Sequence, residues 1–291
     1  MKIALSTDTS CSISKELAKK YDINVFPLNV IVDGNEYLDG VTINQEELKV
    51  AMRANKNIKT STPPPGDIIN YFNEIFEKGY DRVIHFTISS KLSSMNSLFN
   101  NVSRDYFDNK IIVIDSYSLS TVMLSHVLYA HELINKGVDP EEIRNIIDER
   151  KIDNKLIFVP ENLNALKNGG RISPVIAGML NLVGLKPVLS LTDGKLEKES
   201  LAKNIKKLCH EKIVELSKTN PIDKYDYVVV TFDTDQALVD FIDKELTLAF
   251  GDISIIHFPI AINVCAHCGP GTLGLVVSPK FDGHSLNDYL N

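Results

Sequence analysis

Cysteine is scarce in this chain of 291 residues: Cys11, Cys209, Cys265 and Cys268 are all there are. Four thiols so scattered cannot form the disulfide framework of a small secreted domain. They are expected to stay reduced, in a cytoplasmic protein. No apolar stretch approaches the roughly 20 residues of a membrane-crossing helix, so no integral membrane segment is expected. No secretory leader is expected either, because Met1-Lys2 is followed only by Ile3-Ala4-Leu5 and then by Ser6-Thr7-Asp8. Positive charge is in deficit, with 31 Lys and Arg against 38 Asp and Glu and a net charge of −7. Binding a phosphate backbone needs clustered cations, so no nucleic-acid partner is expected. Internal repeats and low-complexity tracts are missing. So are G-x-x-x-x-G-K-[ST], H-E-x-x-H and G-x-S-x-G, the local signatures of P-loop nucleotide sites, zinc peptidases and nucleophile elbows.

What is present is a soluble globular composition, 44% apolar and 24% charged, in a chain long enough for two domains. Short apolar runs alternate with helical spacing. Strands are expected at Lys2–Leu5, Ile23–Val32 (closed by the turn Asp33-Gly34), Arg82–Thr87 and Ile111–Ile114. Ser14, Asn44 and Asp139 read as helix caps, the last with Pro140 at the first helical position. A helix is expected to follow Ser94, and a long one to span Leu119–Asn135. Strand–helix alternation with Val- and Ile-rich strands indicates a parallel sheet covered by helices. The pattern restarts near Lys151–Asn154. The fold class expected is therefore α/β: a parallel, Rossmann-like N-terminal domain over residues 1–154 and a C-terminal mixed-sheet domain over 155–291. In the second half, strands are expected at Lys186–Leu191, Tyr227–Phe232 and Asp252–Phe258, and helices at Asn162–Lys167, Leu201–Ser217 and Gln236–Leu248. An apolar stretch with few charges runs from Val175 to Val183.

In open parallel sheets, ligands sit beyond the carboxyl ends of the strands. Three strand ends here carry hydroxyl-rich loops: Ser6–Ser10, Ser89–Ser94 and Asp115–Ser120. A fourth hydroxyl cluster, Thr60-Ser61-Thr62, runs into Pro63-Pro64-Pro65. Prolines lack an N–H and lock φ, so this stretch reads as a stiff extended loop before a helix that begins near Ile68. Such a loop offers neutral hydrogen-bond donors to a carbonyl or anionic oxygen, or is a surface turn with a hydroxyl cap.

The spacing of Gly269-Pro270-Gly271-Thr272-Leu273-Gly274 matches G-x-G-x-x-G, but the chain ends before the helix, strand and acidic residue of a dinucleotide site can follow. Cys265-Ala266-His267-Cys268 has one C-x-x-C pair where a structural zinc needs four ligands. No metal and no cofactor are expected. His267, at the end of an apolar run that reads as a strand, is either a core imidazole or one that hydrogen-bonds a ligand oxygen. Arg171, after Gly169-Gly170, makes a surface ion pair or faces an anionic head group.

Five of these stretches together are similar to the DegV family of bacterial fatty-acid-binding proteins: Ser6-Thr7-Asp8-Thr9-Ser10, Lys59-Thr60-Ser61, Ser89-Ser90-Lys91-Leu92-Ser93, Gly169-Gly170-Arg171-Ile172-Ser173 and His267-Cys268-Gly269-Pro270-Gly271. The resemblance covers nearly the whole chain. It implies two α/β domains with one long-chain fatty acid, such as palmitate, buried between them, and a monomer. It puts the carboxylate-binding residues at Thr60 and its neighbour Ser61, Ser93, Arg171 and His267, with no catalytic residue. It also implies a partner, a dihydroxyacetone-kinase-like fatty acid kinase that turns the presented carboxylate into acyl phosphate for phospholipid synthesis. The chain departs from the family's usual pattern at Thr62, at Ser94-Met95-Asn96 and at Lys203. Two other readings stand beside the carrier: an acyl-ester hydrolase or transferase with Ser93 as nucleophile, and a lipid-responsive regulatory protein.

Overall fold

The computed structural model describes residues 1–151, 153–160, 163–168, 170–172, 176, 178 and 184–290. Most of the apolar stretch Val175–Val183, with Gly169 and Ser173, lies outside the described residues. The chain divides into two compact units, Met1–Ile152 with Asp193–Lys195 and Ala261–Val264, and the remainder.

The first unit contains strands β1 (Ile3–Asp8), β2 (Ile23–Phe26), β3 (Asn29–Val32), β4 (Asn35–Leu38), β5 (Ile58–Ser61), β6 (Arg82–Thr87) and β7 (Ile111–Asp115). Four of them form an all-parallel sheet in the order β2-β1-β6-β7. Its central strands are buried along nearly their whole length, as expected of a sheet with helices on both faces. The three anticipated caps are present. Ser14 Oγ accepts from the Leu17 amide, Asp139 Oδ1 accepts from the Glu141 amide, and Asn44 with Glu47 makes a reciprocal capping box. The helix Ser120–Asn135 is buried almost all round. Rings of Phe26, Tyr71, Phe72, His85, Phe99 and Phe107 meet mostly edge to face in the core, though His85 stacks flat on Phe99 with centroids 4.1 Å apart.

Two expectations are corrected here. Ile23–Val32 is two strands, because Pro27 can neither donate to a ladder nor keep the run in one sheet; β3 leaves the parallel sheet and pairs antiparallel with β4 and β5. The supposed loop at Thr60 is an edge strand, β5, paired with β3 through Thr60–Val30 and Ser61–Asn29. The prolines stop it rather than prevent it. Pro63 is buried, Pro64 is the N-cap, and Pro65 opens the helix Pro65–Glu77, where its missing N–H costs nothing.

The second unit contains β8 (Lys155–Val159), β9 (Lys186–Thr192), β10 (Lys195–Ala202), β11 (Tyr225–Phe232), β12 (Ile256–Pro259) and β13 (Thr272–Pro279). They form one mixed sheet in the order β10-β9-β8-β13-β11-β12, parallel only between β11 and β12 among its recorded pairings. Helices Ile205–Thr219 and Gln236–Phe250 share a core with β11 and β13, around Tyr227, Val229, Ile242, Leu246 and Val277. The first of them starts at Ile205, not Leu201, because Asn204 caps it and β10 runs on to Ala202. The last strand before the glycine turn starts at Ile256 rather than Asp252. The apolar run ending at His267 is a helix, Ile262–Cys268, and not a strand. The glycines that follow are structural. Gly269 and Gly271 have φ of +78° and +87°, and Gly274 lies opposite Val230, where a Cβ would come within 2.6 Å of a Val230 methyl. These are turn and close-packing positions, so the G-x-G-x-x-G spacing is met for reasons of backbone geometry.

Candidate functional site

All four parallel strands of the first unit end at one edge, and the polar loops gather there. Asp8, the last residue of β1, is fully buried and ties two of them. Its Oδ1 accepts from the Ser10 amide at 2.8 Å and its Oδ2 from the Ile88 amide at 2.8 Å. Burial outweighs these bonds and raises its pKa to about 6. Asp115, at the end of β7, does the same for the next pair, accepting from the amides of Ser90 and Tyr117. Ser89 donates its amide to the Ser118 carbonyl and its hydroxyl to the Gly194 carbonyl, the latter at 2.6 Å.

Ser93 sits one residue before the N-cap of helix Met95–Tyr106. Its amide donates to the Ser89 carbonyl at 3.1 Å, and its partly exposed hydroxyl accepts a long bond, 3.4 Å, from the Met95 amide. The Oγ therefore keeps its proton and a lone pair to offer at a helix N-terminus, where the peptide dipoles favour negative charge. Asn96, in the stretch that departs from the family pattern, donates to Thr87 Oγ1 at 3.1 Å. Thr60 and Ser61 are partly buried at the end of β5. Neighbours in a strand face opposite sides of the sheet, so these two hydroxyls point apart. Ser61 Oγ is shielded from solvent and has no hydrogen-bond partner among the described residues, which is unfavourable for a hydroxyl unless something else supplies the bond.

In the second unit, Arg171 follows the turn at Gly170, and its amide donates to the Leu166 carbonyl at 3.2 Å. His267 lies in the last turn of helix Ile262–Cys268. Burial lowers its pKa to about 4, and the Arg171 charge contributes in the same direction, so the structure brings these two side chains into each other's field. The imidazole is neutral at pH 7 and has one nitrogen to donate and one to accept. Cys265 and Cys268 are buried thiols, and Cys265 Sγ donates to the Ile260 carbonyl at 3.3 Å. No group of three or more potential metal ligands occurs among the described residues.

Two further polar residues of the polar edge escape sequence reasoning. Asp39 and Asn263 are buried and hydrogen-bonded to each other, Asn263 N to Asp39 Oδ2 at 2.9 Å. Nothing local marks either one, and 224 residues separate them.

The chain is thus a two-unit α/β protein: one unit has a parallel sheet with hydroxyl-rich loops at its carboxyl edge, and the other has a mixed sheet and brings Arg171 and His267 into each other's field. Comparison with known proteins shows the family. The model of the family described as "Uncharacterised protein, DegV family" matches residues 2–280, and this chain belongs to the DegV family. A DegV domain-containing protein of Caldanaerobacter subterraneus is 31% identical, over 96% of this chain and 99% of that one. Among solved structures, the Thermus thermophilus protein described under "Fatty Acid Binding of a DegV family Protein" superimposes with a TM-score of 0.85 at 26% identity, covering 96% of this chain and 100% of that one. A stearic-acid-binding protein from Eubacterium ventriosum gives 0.83 at 27%, covering 95% and 98%.

Proposed function

We propose that this protein binds one long-chain fatty acid, palmitate or a near relative, in a buried tunnel. Its carboxyl group is held by Ser93, Arg171, His267 and one of the two oppositely facing hydroxyls of Thr60 and Ser61. The observation that carries this reading is end-to-end similarity to DegV proteins whose solved structures are described as fatty-acid-binding. The physical chemistry supports it. Burying an acyl chain gains about 0.8 kcal/mol per CH₂, on the order of 10 kcal/mol gross for a palmitate-sized chain. The carboxyl must meanwhile be paid for its lost water by hydrogen bonds. Hydroxyls serve either protonation state of a carboxyl, and a neutral imidazole beside a guanidinium can donate to an anion.

The protein is then a carrier and not a catalyst. It acts as a cytoplasmic monomer and presents the carboxylate to a dihydroxyacetone-kinase-like fatty acid kinase, which forms acyl phosphate for phospholipid synthesis. Native mass spectrometry of the purified protein, followed by extraction, tests the first part. A stoichiometric long-chain fatty acid is expected. A chain that is empty and takes up no added palmitate refutes it and returns Ser93 to consideration as a nucleophile. Adding the kinase and ATP to the loaded protein, with hydroxylamine to trap product, tests the second part. Acyl hydroxamate is expected only when protein, kinase and ATP are all present.

A further inference from the structure

A buried chain of hydrogen bonds in the first unit reaches the Ser93 loop, and none of its members is among the five residues named above for the carboxyl group. Asp8 and Ser10 are fully buried, and Asp39 and Asn263 are 5% and 6% exposed. Asn263 Nδ2 donates to Ser10 Oγ at 2.7 Å, and the Asn263 amide donates to Asp39 Oδ2 at 2.9 Å. Asn263 Oδ1 accepts from the Val264 amide at 3.0 Å, so both ends of its side-chain amide are in use. Ser10 in turn gives its own amide to Asp8 Oδ1, while Asp8 Oδ2 takes the Ile88 amide. Ile88 opens the stretch in which Ser93 N–H donates to the Ser89 carbonyl. Four segments far apart in sequence therefore meet through one asparagine, one serine and two carboxyl groups.

That arrangement is an expensive way to fill space. Neither carboxyl has a cationic neighbour among the described residues to lower its pKa; burial dominates both, raising Asp8 to about 6 and Asp39 to about 7. Apolar side chains of the same volume would pack there at lower cost. What apolar packing does not supply is direction. A fully satisfied buried network holds its members in one geometry, and first-contact groups work only when such a supporting shell fixes them.

We infer that Asn263 and Ser10 are positioning residues: through Asp8 and the Ile88 amide they hold the Ser89–Ser93 stretch, and so Ser93 Oγ, in the geometry that meets an acyl carboxyl. The inference rests on the fatty-acid reading and adds residues to it.

The test uses palmitate labelled with ¹³C at the carboxyl carbon, bound to the wild type and to Ser10→Ala, Asn263→Ala and Ser93→Ala. Affinity, the ¹³C resonance of the bound carboxyl and the Tm of the lipid-free protein are measured for each. Both Ser10→Ala and Asn263→Ala are expected to weaken palmitate binding about tenfold. Each should also move the carboxyl resonance in the direction in which Ser93→Ala moves it, a readout that a loss of stability alone leaves unchanged. Wild type that takes up no palmitate sinks the fatty-acid reading and this inference with it. Wild type that binds, with both variants folded and showing wild-type affinity and resonance, overturns the inference alone, and a lowered Tm as the sole change does the same. Should Asn263→Ala fail to fold, Ser10→Ala decides, since it removes one small hydroxyl and leaves the Ser10 amide on Asp8.

Discussion

His267 is neutral at pH 7, because burial and, after it, the Arg171 guanidinium depress its pKa to about 4. A bound carboxylate would reverse the balance, since a nearby negative charge favours the imidazolium. Titrating His267 by NMR with and without palmitate should therefore show an upward shift on binding; no shift would remove His267 from the carboxyl site. Ser61 makes a complementary case. Its buried hydroxyl has no partner among the described residues, so Ser61→Ala should leave the lipid-free protein as stable as wild type, within about 0.5 kcal/mol. If the hydroxyl meets the ligand, the same substitution should weaken palmitate by roughly tenfold, the scale of one hydrogen bond to a charged group. Calorimetric titration beside thermal unfolding separates the two effects. Asp8 and Asp39 contribute one part of the pH dependence, opposed by the buried imidazoles of His85, His126 and His267, whose pKa values burial lowers to about 3, 4 and 4. The two carboxyls fold with pKa values above the ordinary 3.8, at about 6 and about 7, so between those limits the native state binds more protons than the unfolded one. Their contribution is therefore fully present below about pH 4 and is lost as pH rises through about 6 to 7. Urea unfolding at a series of pH values should show Asp39→Asn gaining stability relative to wild type as pH rises through about 7, because the amide oxygen can still accept the Asn263 N–H but never ionises.

At the level of elements, turns and caps determine where strands stop. Gly194, in the turn between β9 and β10, has a φ of +77°, and a Cβ there would lie 2.6 Å from Ser89 Oγ and 3.3 Å from the Tyr117 ring. Gly194→Ala should accordingly destabilise the protein by about 1–3 kcal/mol, from left-handed strain and overpacking together, as read by chemical denaturation. Stability equal to wild type would mean that the turn relaxes away from Ser89. The capping box at Asn44 and Glu47 and the Pro27 break in Ile23–Val32 follow local rules of the same kind. The helix Ile262–Cys268 does not. Its seven residues are too few to show a helical period, and Ile262, Val264 and the flanking apolar residues read equally well as a buried strand. Its start is fixed instead by Asp39, which takes the Asn263 amide.

For the whole molecule, ligand and stability are linked. A lipid that binds only the native state stabilises it by about 2.7 kcal/mol at a hundredfold excess over Kd. Delipidated protein should therefore melt several degrees below the palmitate-loaded form, with the difference growing as ligand concentration rises; equal melting temperatures at saturating palmitate would contradict the carrier reading. No helix among the described residues is long and apolar enough to cross a membrane.

The sequence by itself determined the alternation of buried Val- and Ile-rich strands with capped helices, and from it the parallel α/β character of the first half. Those signals are local: a cap acts within three residues, and a buried strand declares itself in five. It also brought hydroxyls to the loops after β1, β6 and β7, since a parallel sheet must end all its strands at one edge. Only the tertiary structure decided that Thr60 and Ser61 lie in a strand and face opposite sides, that Ser61 Oγ has no partner among the described residues, and that burial, with Arg171 beside it, lowers the pKa of His267. It alone joined Asp39 to Asn263 across 224 residues. The reason is physical. Hydrogen bonds between distant segments, and the desolvation that shifts a pKa, depend on which surfaces are buried together, and no short stretch of sequence carries that information.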